Sequence, residues 1–555
     1  MNKLKELILF NSDHRSQLRF LFCIITAFYF YNFHVNDIWT PNESFYAESV
    51  REMFESGDFI DIQYNYRARY NKPPLTYWAI ALSSSIFGLN EFGIRLPMIL
   101  MALGSIWLTY LLGKKLYGPK AGLYAMCIMA VSVQLIAVKQ YASPEVPLTF
   151  FFTLTMYWFL RAYTENKNKY YYLAYVALGL AVLTKGYPYI IVIGGIVGFY
   201  LLLDSQFNLK IWFKKLLQIK LHIGIPIVLV IGLSWVIYMY FTYGQDFWVI
   251  FQHETFERAF TRNEKSMRPF FYLEVISWSI LPYSLAFFVA LVYYIFNFKS
   301  IRKEIGFAFS WLIVMFIIFT AAKGKIPTYF IQAHPPMALI LTAFLINKPQ
   351  LKKPFNFIRL YSFLLPGLLV LGASFAIVYL FSLPILWYIV PLLFTIITFY
   401  LLRNSREDKR IGTQMIAIPF YAIIGVYILF GAYLKPIEAF RPYKKIGAII
   451  KSSQSISKET PLQIDGTLIH NMPFYAERKV IRQDTLENII DYAEPTLALI
   501  RKEHMNEFEE AEVLWEGYIY DFASESQFAK FIKASLKAEK GDYSDFAIFK
   551  LIYRE

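Results

Sequence analysis

"PPLTYWAIALSSSIFGL", residues 73–89, is the stretch whose reading decides the topology of this chain. It is apolar, but it is short, opens on two prolines and holds three serines, whereas a crossing helix needs about 20 mainly apolar residues. Runs of spanning length begin near Leu18, Leu96, Ala121, Val146, Tyr171, Pro188, His222, Phe271, Gly306, Tyr329, Ile358, Pro384 and Thr413. The basic loops between them arbitrate, because Lys and Arg concentrate on the cytoplasmic side. If 73–89 does not cross, "GKKLYGPK", "RAYTENKNK", "LKIWFKKLLQIK", "FKSIRKE", "NKPQLKKPFNFIR" and "RNSREDKR" all share the side of the basic N-terminus. If it crosses, all six oppose it. The expectation is therefore a polytopic α-helical membrane protein of about thirteen crossings. In it 36–94 is one long extracytoplasmic loop, 73–89 is juxtamembrane, and the C-terminus lies outside.

Composition agrees with that class. Of 555 residues, 57% are hydrophobic and 19% aromatic, while 17% are charged, which marks a membrane protein. The net charge of +14 sits mostly in the short clusters between apolar runs, so it is topological and does not point to nucleic acid. Cys23 and Cys127 each lie inside an apolar run, which leaves no disulfide framework and no cysteine metal site. The N-terminus has basic residues before its apolar run and no small-residue cleavage site, and it reads as an uncleaved first span. From Leu434 the chain turns polar, with β-like "LQIDG" and "TLALIRK" and a helical "TLENIIDYA". Residues 1–433 are read as the membrane domain and 434–555 as a small α/β domain on the outer face. This C-terminal region holds no Gly-rich phosphate loop.

Within the long loop, "TPNESFYAESVREMFESGDF" (40–59) reads as a helix start: Thr40 as cap, Pro41 at the first helical position, and Glu43 completing a capping box. Tyr46, Val50, Met53 and Phe54 follow at helical spacing, and Gly57 can end the helix. Glu48, Arg51, Glu52 and Glu55 then form a solvated polar face of an amphipathic interfacial helix. The string "YNYRARYNKPP" (64–74) admits two readings, sugar and phosphate contact or an interfacial aromatic belt with basic anchors. The other proposed outer loops carry "SPEVPL" (143–148), "TKGYP" (184–188), "QHETFER" (252–258) and "KGKIPTYF" (323–330). Such ionisable residues at span ends can anchor helices, but their recurrence on one face points to a site.

"NESFYAESVREMFESGDF…YNKPPLTYWAIALSSSIFGLNEFGIRLP", "SPEVPLTFFFTLTMYW", "LGLAVLTKGYP", "HETFERAF" and "KGKIPTYFIQAHPPMALI" together resemble the GT-C glycosyltransferases that use polyprenyl-phosphate sugars. The resemblance is strongest to the lipid A aminoarabinose transferases and extends more distantly to the protein O-mannosyltransferases. It covers most of residues 40–345 and fades after that. It implies an integral enzyme of a bacterial inner membrane, N-terminus cytoplasmic, that moves a pentosyl or hexosyl group from a polyprenyl-phosphate donor to a lipid, glycan or protein acceptor. Two other readings stand beside it. One is a transporter or lipid flippase; the other is a non-catalytic member that binds a polyprenyl lipid.

The resemblance also assigns roles. Lys72, Lys185 and Arg258 match phosphate-binding positions, with Lys325, Lys323, Tyr46 and Tyr329 beside them; cations there stabilise the departing phosphate. The catalytic carboxylate falls to Glu43 or Glu145, because the acid at the start of the first-loop motif is Asn42 here, and asparagine cannot act as a base. Three further departures are Phe45, where the family has arginine, Asn71, where the aminoarabinose enzymes have an acid, and Glu145, where the family has aspartate. The resemblance implies no nucleotide. A divalent metal ion is implied at Asn71, His253 and Glu254; the other reading of His253 is a hydrogen-bonded interfacial histidine.

Overall fold

The computed structural model describes all residues except 1, 9, 11, 254–267, 347–352, 404–407, 467, 491–494, 509, 522–527 and 555. A helix or helical turn begins within a few residues of each of the thirteen apolar runs, except that the run at Ala121 is split into Pro119–Ala130 and Val133–Val138. Seven helices among the described residues are long and apolar enough to cross a membrane, including Glu91–Tyr117 and Leu221–Gln252. The segment 73–89 forms the helix Leu75–Phe87, 13 residues long. At 1.5 Å per residue that is about 20 Å, short of a hydrocarbon core of about 30 Å. The bundle is assembled from helical hairpins: Glu145–Glu165 packs on Asn168–Lys185, which packs on Leu221–Gln252. The last two approach closely where Gly179 and Gly232 leave room for Ile231 and Val182, a small-residue contact typical of membrane helices.

The first loop follows the helix His14–Phe30 and opens into Asn42–Ser56. The helix start differs from the capping box. Pro41 is the cap rather than the first helical residue, and Glu43 turns back past Thr40 to accept the Trp39 N–H at 2.9 Å. Gly57, at φ +74°, closes the helix with its N–H on the Met53 carbonyl. The solvated polar face is also overturned: Glu48, Arg51 and Glu52 are buried, and only Glu55 of that set is exposed. A hairpin of β1 (Gln63–Tyr64) and β2 (Arg67–Ala68) folds over the face, its Asn65 and Tyr66 both at positive φ as a two-residue type I′ turn requires. Arg51 sits at the centre, bidentate to Glu48 at 2.8 Å and reaching Glu55 and the Tyr66 hydroxyl. Charges spaced three and four apart pair within the helix, so the face can be covered without leaving a lone ion.

Beyond Leu434 the chain builds a five-stranded mixed sheet in the order β4-β3-β5-β7-β6. Its strands are β3 (Leu462–Asp465), β4 (Val480–Gln483), β5 (Thr496–Arg501), β6 (Glu512–Tyr520) and β7 (Phe546–Arg554). β3 pairs in parallel with β4 and β5 and is buried along its whole length, as a central parallel strand should be. The edge strand β4 is capped by the first loop, for Asn65 exchanges two 2.7 Å bonds with the Val480 backbone.

Glu52 carries a consequence of this packing. Burial and the adjacent Glu48 carboxylate push its carboxyl up to about 9, and its Oε2 finds no donor among the described residues. Because the folded value lies above the unfolded one of 4.5, folding is progressively disfavoured as pH rises between the two and changes no further above the upper one. Glu52→Gln imitates the protonated form. The melting temperature of the wild type in detergent is expected to fall relative to that variant from about pH 5 to about pH 9. Parallel curves for the two proteins would refute the buried neutral acid.

Candidate active site

The segment 36–39 that enters the first loop is held almost entirely by side chains. Arg95 donates to the carbonyls of Phe33, Asn36 and Asp37, and Arg441 to those of Asp37 and Ile38. The Tyr475 hydroxyl accepts the Ile38 N–H at 2.7 Å, and Glu438 accepts that of Asp37. Irregular buried backbone must find partners for its polar groups, and here two arginines, a tyrosine and a glutamate supply them. The same Arg95 grips Glu43 with a two-pronged fork, Nε and Nη2 each 2.7 Å from a carboxylate oxygen. Glu43 also accepts the N–H groups of Trp39 and Ala142, both at 2.9 Å. Fully buried and accepting four hydrogen bonds, Glu43 is a structural carboxylate in this geometry.

The Ala142 bond ties Glu43 to the turn that leads into Glu145. Glu145 opens the helix Glu145–Glu165, and Lys185 ends Asn168–Lys185, where Gly186 at φ +116° stops the helix. An acid at a helix N-terminus and a cation at a C-terminus each complement the helix dipole. The two meet at 2.8 Å, with side chains 13% and 6% exposed. Tyr329 lays its ring 4.7 Å from the Lys185 ammonium. Tyr46 stacks on Tyr77 at 4.6 Å and lies within electrostatic reach of Glu145.

Next to this cluster is a cavity of about 260 Å³ lined by Asn42, Glu43, Gln140, Tyr141 and Trp39. Gln140 is held there through Tyr427, whose hydroxyl accepts from both Gln140 and the buried Lys139. The structure thus brings together Asn42 and Glu43 at one cavity wall, and Glu145, Lys185 and Tyr329 beside it. Lys72 and Asn71 sit half-buried in the turn before Leu75–Phe87. Their neighbour Tyr70 packs on Tyr243 and Phe247, either side of the kink at Gly244 in Leu221–Gln252. Lys325 is buried and donates to the Arg268 carbonyl at 3.1 Å. His253 is exposed just beyond Leu221–Gln252, while Glu254 and Arg258 lie outside the described residues.

Among the described residues no group of three or more His, Cys, Asp or Glu side chains gathers as a metal site. The two described donors, a neutral amide and one exposed imidazole, do not suit a divalent ion that needs several oxygen or nitrogen ligands, so no step below runs through a metal. Arg95 and Lys139 are the residues that sequence reading missed. Each is a lone cation within an otherwise apolar stretch, "FGIRLPM" and "LIAVKQY", and a cation so placed needs a partner.

A helical bundle with a long structured first loop and a C-terminal sheet docked on that loop is the architecture of the GT-C membrane proteins. The family model for dolichyl-phosphate-mannose-protein mannosyltransferases matches residues 71–238. An uncharacterized protein of Aquifex aeolicus is 35% identical over 518 residues, 93% of this chain and 96% of that one. An undecaprenyl phosphate-α-4-amino-4-deoxy-L-arabinose arabinosyl transferase of Pseudomonas fluorescens is 27% identical over 348 residues, 60% of this chain and 57% of that one. The matching enzyme of Proteus mirabilis is 26% identical, and the chain again spans 59% of its length. The fold matches ArnT from Cupriavidus metallidurans bound to undecaprenyl phosphate with a TM-score of 0.71 at 18% identity, over 96% of this chain and 98% of that one. The archaeal oligosaccharyltransferase AglB from Archaeoglobus fulgidus matches with a TM-score of 0.52 at 13% identity, over 89% and 70%. The chain belongs to one family with the Aquifex aeolicus protein and shares the fold of ArnT.

Removing one partner of a buried ion pair strands the other, at a cost of about 3–5 kcal/mol, whereas removing both is far milder. Arg95→Leu and Glu43→Leu are each expected to lower the melting temperature of the solubilised full chain substantially, and the double variant to lose less than the sum. Additive losses, or no loss from Arg95→Leu, would remove Glu43 from its structural role.

Proposed function

We propose that this protein is an inner-membrane glycosyltransferase that takes a pentosyl or hexosyl group from a polyprenyl-phosphate donor and passes it to an envelope acceptor, a lipid A-type lipid, another glycan or a protein. The reading is carried by one observation, the Glu145–Lys185–Tyr329 cluster, whose leading turn the Glu43–Ala142 bond ties to the wall of the Asn42 cavity. It is supported by the arabinosyl transferases that the chain resembles over about three-fifths of its length. The topology that goes with it has thirteen crossings, a cytoplasmic N-terminus, and the first loop and residues 434–555 on the extracytoplasmic side.

In the reaction, an acceptor oxygen attacks the anomeric carbon as the bond from that carbon to the phosphate oxygen breaks, and the electron pair leaves on the phosphate. Lys72 and Arg258, with Lys185 and Lys325, supply positive charge where that negative charge develops, at no cost of reorganisation. The acceptor proton passes to a carboxylate. Glu145 suits this role better than Glu43, because all four bonds that Glu43 accepts come from the protein itself. Tyr329 supplies an aromatic face to Lys185, and Tyr46 lies within electrostatic reach of Glu145. A non-catalytic lipid-binding protein is the second reading, favoured by that saturation of Glu43 together with Asn42 and Asn71 at two acidic positions of the family.

Native mass spectrometry of the gently purified protein is expected to reveal a co-purifying polyprenyl phosphate, depleted in Lys72→Ala/Arg258→Ala. Its absence under conditions that retain other phospholipids would favour a transporter. Glu145→Gln is expected to keep the lipid and slow sugar transfer by about 10²-fold or more. Full turnover in that variant would move the base elsewhere. A wild type that binds the lipid but turns over no polyprenyl-phosphate sugar would establish the second reading.

A further inference from the structure

A second cavity, larger and more open than the first, separates the C-terminal sheet from the segment that enters the first loop. Its volume is about 820 Å³, within the range of about 300–1,000 Å³ in which small-molecule sites fall. One wall is aromatic. Tyr518 of β6 stacks on Tyr543 at 4.2 Å with the rings within 18° of parallel, and Trp515 lies on the same strand. Any side chain at Gly517 would meet the Trp515 ring at 2.5 Å, so that glycine is what lets the indole lie flat along the strand. The facing wall carries Asp37, Arg441 and Lys445.

The charges of this cleft are largely neutralised among themselves. Arg441 is paired with Glu438, Lys444 with Glu91, and Glu516 with Lys502 and Lys550, which leaves the exposed Lys445 as the cation of the lining with no ion pair among the described residues. Asp37 offsets it in part, and its carboxyl accepts no hydrogen bond among the described residues, although its backbone is fully engaged. Burial and the neighbouring Glu438 push that carboxyl up to about 7, so near neutrality it can both donate and accept. The exposed Tyr518 ring and the half-buried Trp515 and Tyr543, in one lining with the hydrogen-bonding groups of Asp37, Arg441 and Lys445, suit a ligand with apolar C–H faces and a rim of hydroxyls.

We propose that this cleft binds a neutral saccharide, namely the sugar portion of the acceptor, and this assignment of acceptor rests on the transferase reading above. Position supports it. Arg441 lines the cleft and stacks on Trp39 at 4.0 Å, and the other side of Trp39 lines the cavity of Asn42 and Glu43. Likewise Asn36 faces the first cavity and Asp37 the second. A glycan seated on Tyr518 and Trp515 thus lies one residue layer from the candidate active site, where its terminal hydroxyl group would be presented.

The test is saturation-transfer NMR on the full chain in nanodiscs with cellobiose and N,N′-diacetylchitobiose as probes, against inositol phosphate as an anionic control. At least one disaccharide is expected to bind saturably. Tyr518→Ala, whose side chain is exposed, and Trp515→Ala are each expected to weaken it by about 3- to 10-fold, the worth of one aromatic contact. The same preparations are weighed by native mass spectrometry and should keep their polyprenyl phosphate. No saturable disaccharide binding, equal binding by both variants, or preference for the anionic control would overturn the proposal. Sugar binding as expected in a protein that holds no polyprenyl phosphate would overturn the transferase reading and leave the cleft as a saccharide site.

Discussion

The fork between Arg95 and Glu43 is the constraint on which the rest of this architecture depends. A guanidinium with five donors in a fixed plane is the side chain able to hold a carboxylate and several carbonyls at once, and Arg95 does both. It fixes the path of residues 36–39, sets the start of Asn42–Ser56, and through Glu43 and the Ala142 N–H fixes the turn that delivers Glu145. Burying such a pair contributes little net stability by comparison with a well-packed apolar replacement. What it adds is register, because neither partner can shift without stranding the other.

The charged groups at this end of the bundle follow one rule. Glu48 and Arg51, Glu145 and Lys185, and Glu438 and Arg441 are each buried to a large degree and each paired at under 3 Å. Glu52, which has no cation of its own, is held neutral instead. Carbon-rich surroundings make an unpaired ion costly to keep, so these carboxylates are compensated by a cation or, as at Glu52, protonated. A phosphate that entered would meet cations already oriented by their surroundings, which is the preorganisation that electrostatic catalysis needs.

The walls of the two cavities are built from neighbouring residues, and this couples the C-terminal sheet to the membrane bundle. Trp39 and Asn36 face one cavity; Asp37 and Arg441 face the other. Tyr475 and Asn471, from the C-terminal region, bond to Ile38 in the strap itself. The sheet is therefore part of the site's frame rather than an appendage. A variant that loosens it is expected to disturb the first loop as well.

Much of the helical skeleton was legible in the chain. Apolar runs, basic loops and the two prolines with three serines of 73–89 follow from solvation and length alone, and the helices begin close to where those runs do. Glu145 and Lys185 were legible as punctuation, an acid after Ser-Pro and a lysine before Gly, at positions where helix dipoles favour them. The fate of "ESVREMFES" was not, because an amphipathic pattern states which residues are polar and not what covers them; the β1–β2 hairpin that buries Glu48 and Glu52 comes from the next turn of the chain. Nor could spacing reveal that Glu43 answers Arg95, 52 residues away, or that Asp37 meets Glu438. The sequence by itself determined a helical membrane protein with a long loop and a C-terminal α/β region, since those depend on local composition and period. Only the tertiary structure decided which carboxylate is saturated by the protein, as Glu43 is, and which is held by a single lysine, as Glu145 is, since that depends on which distant cation or backbone amide reaches each one.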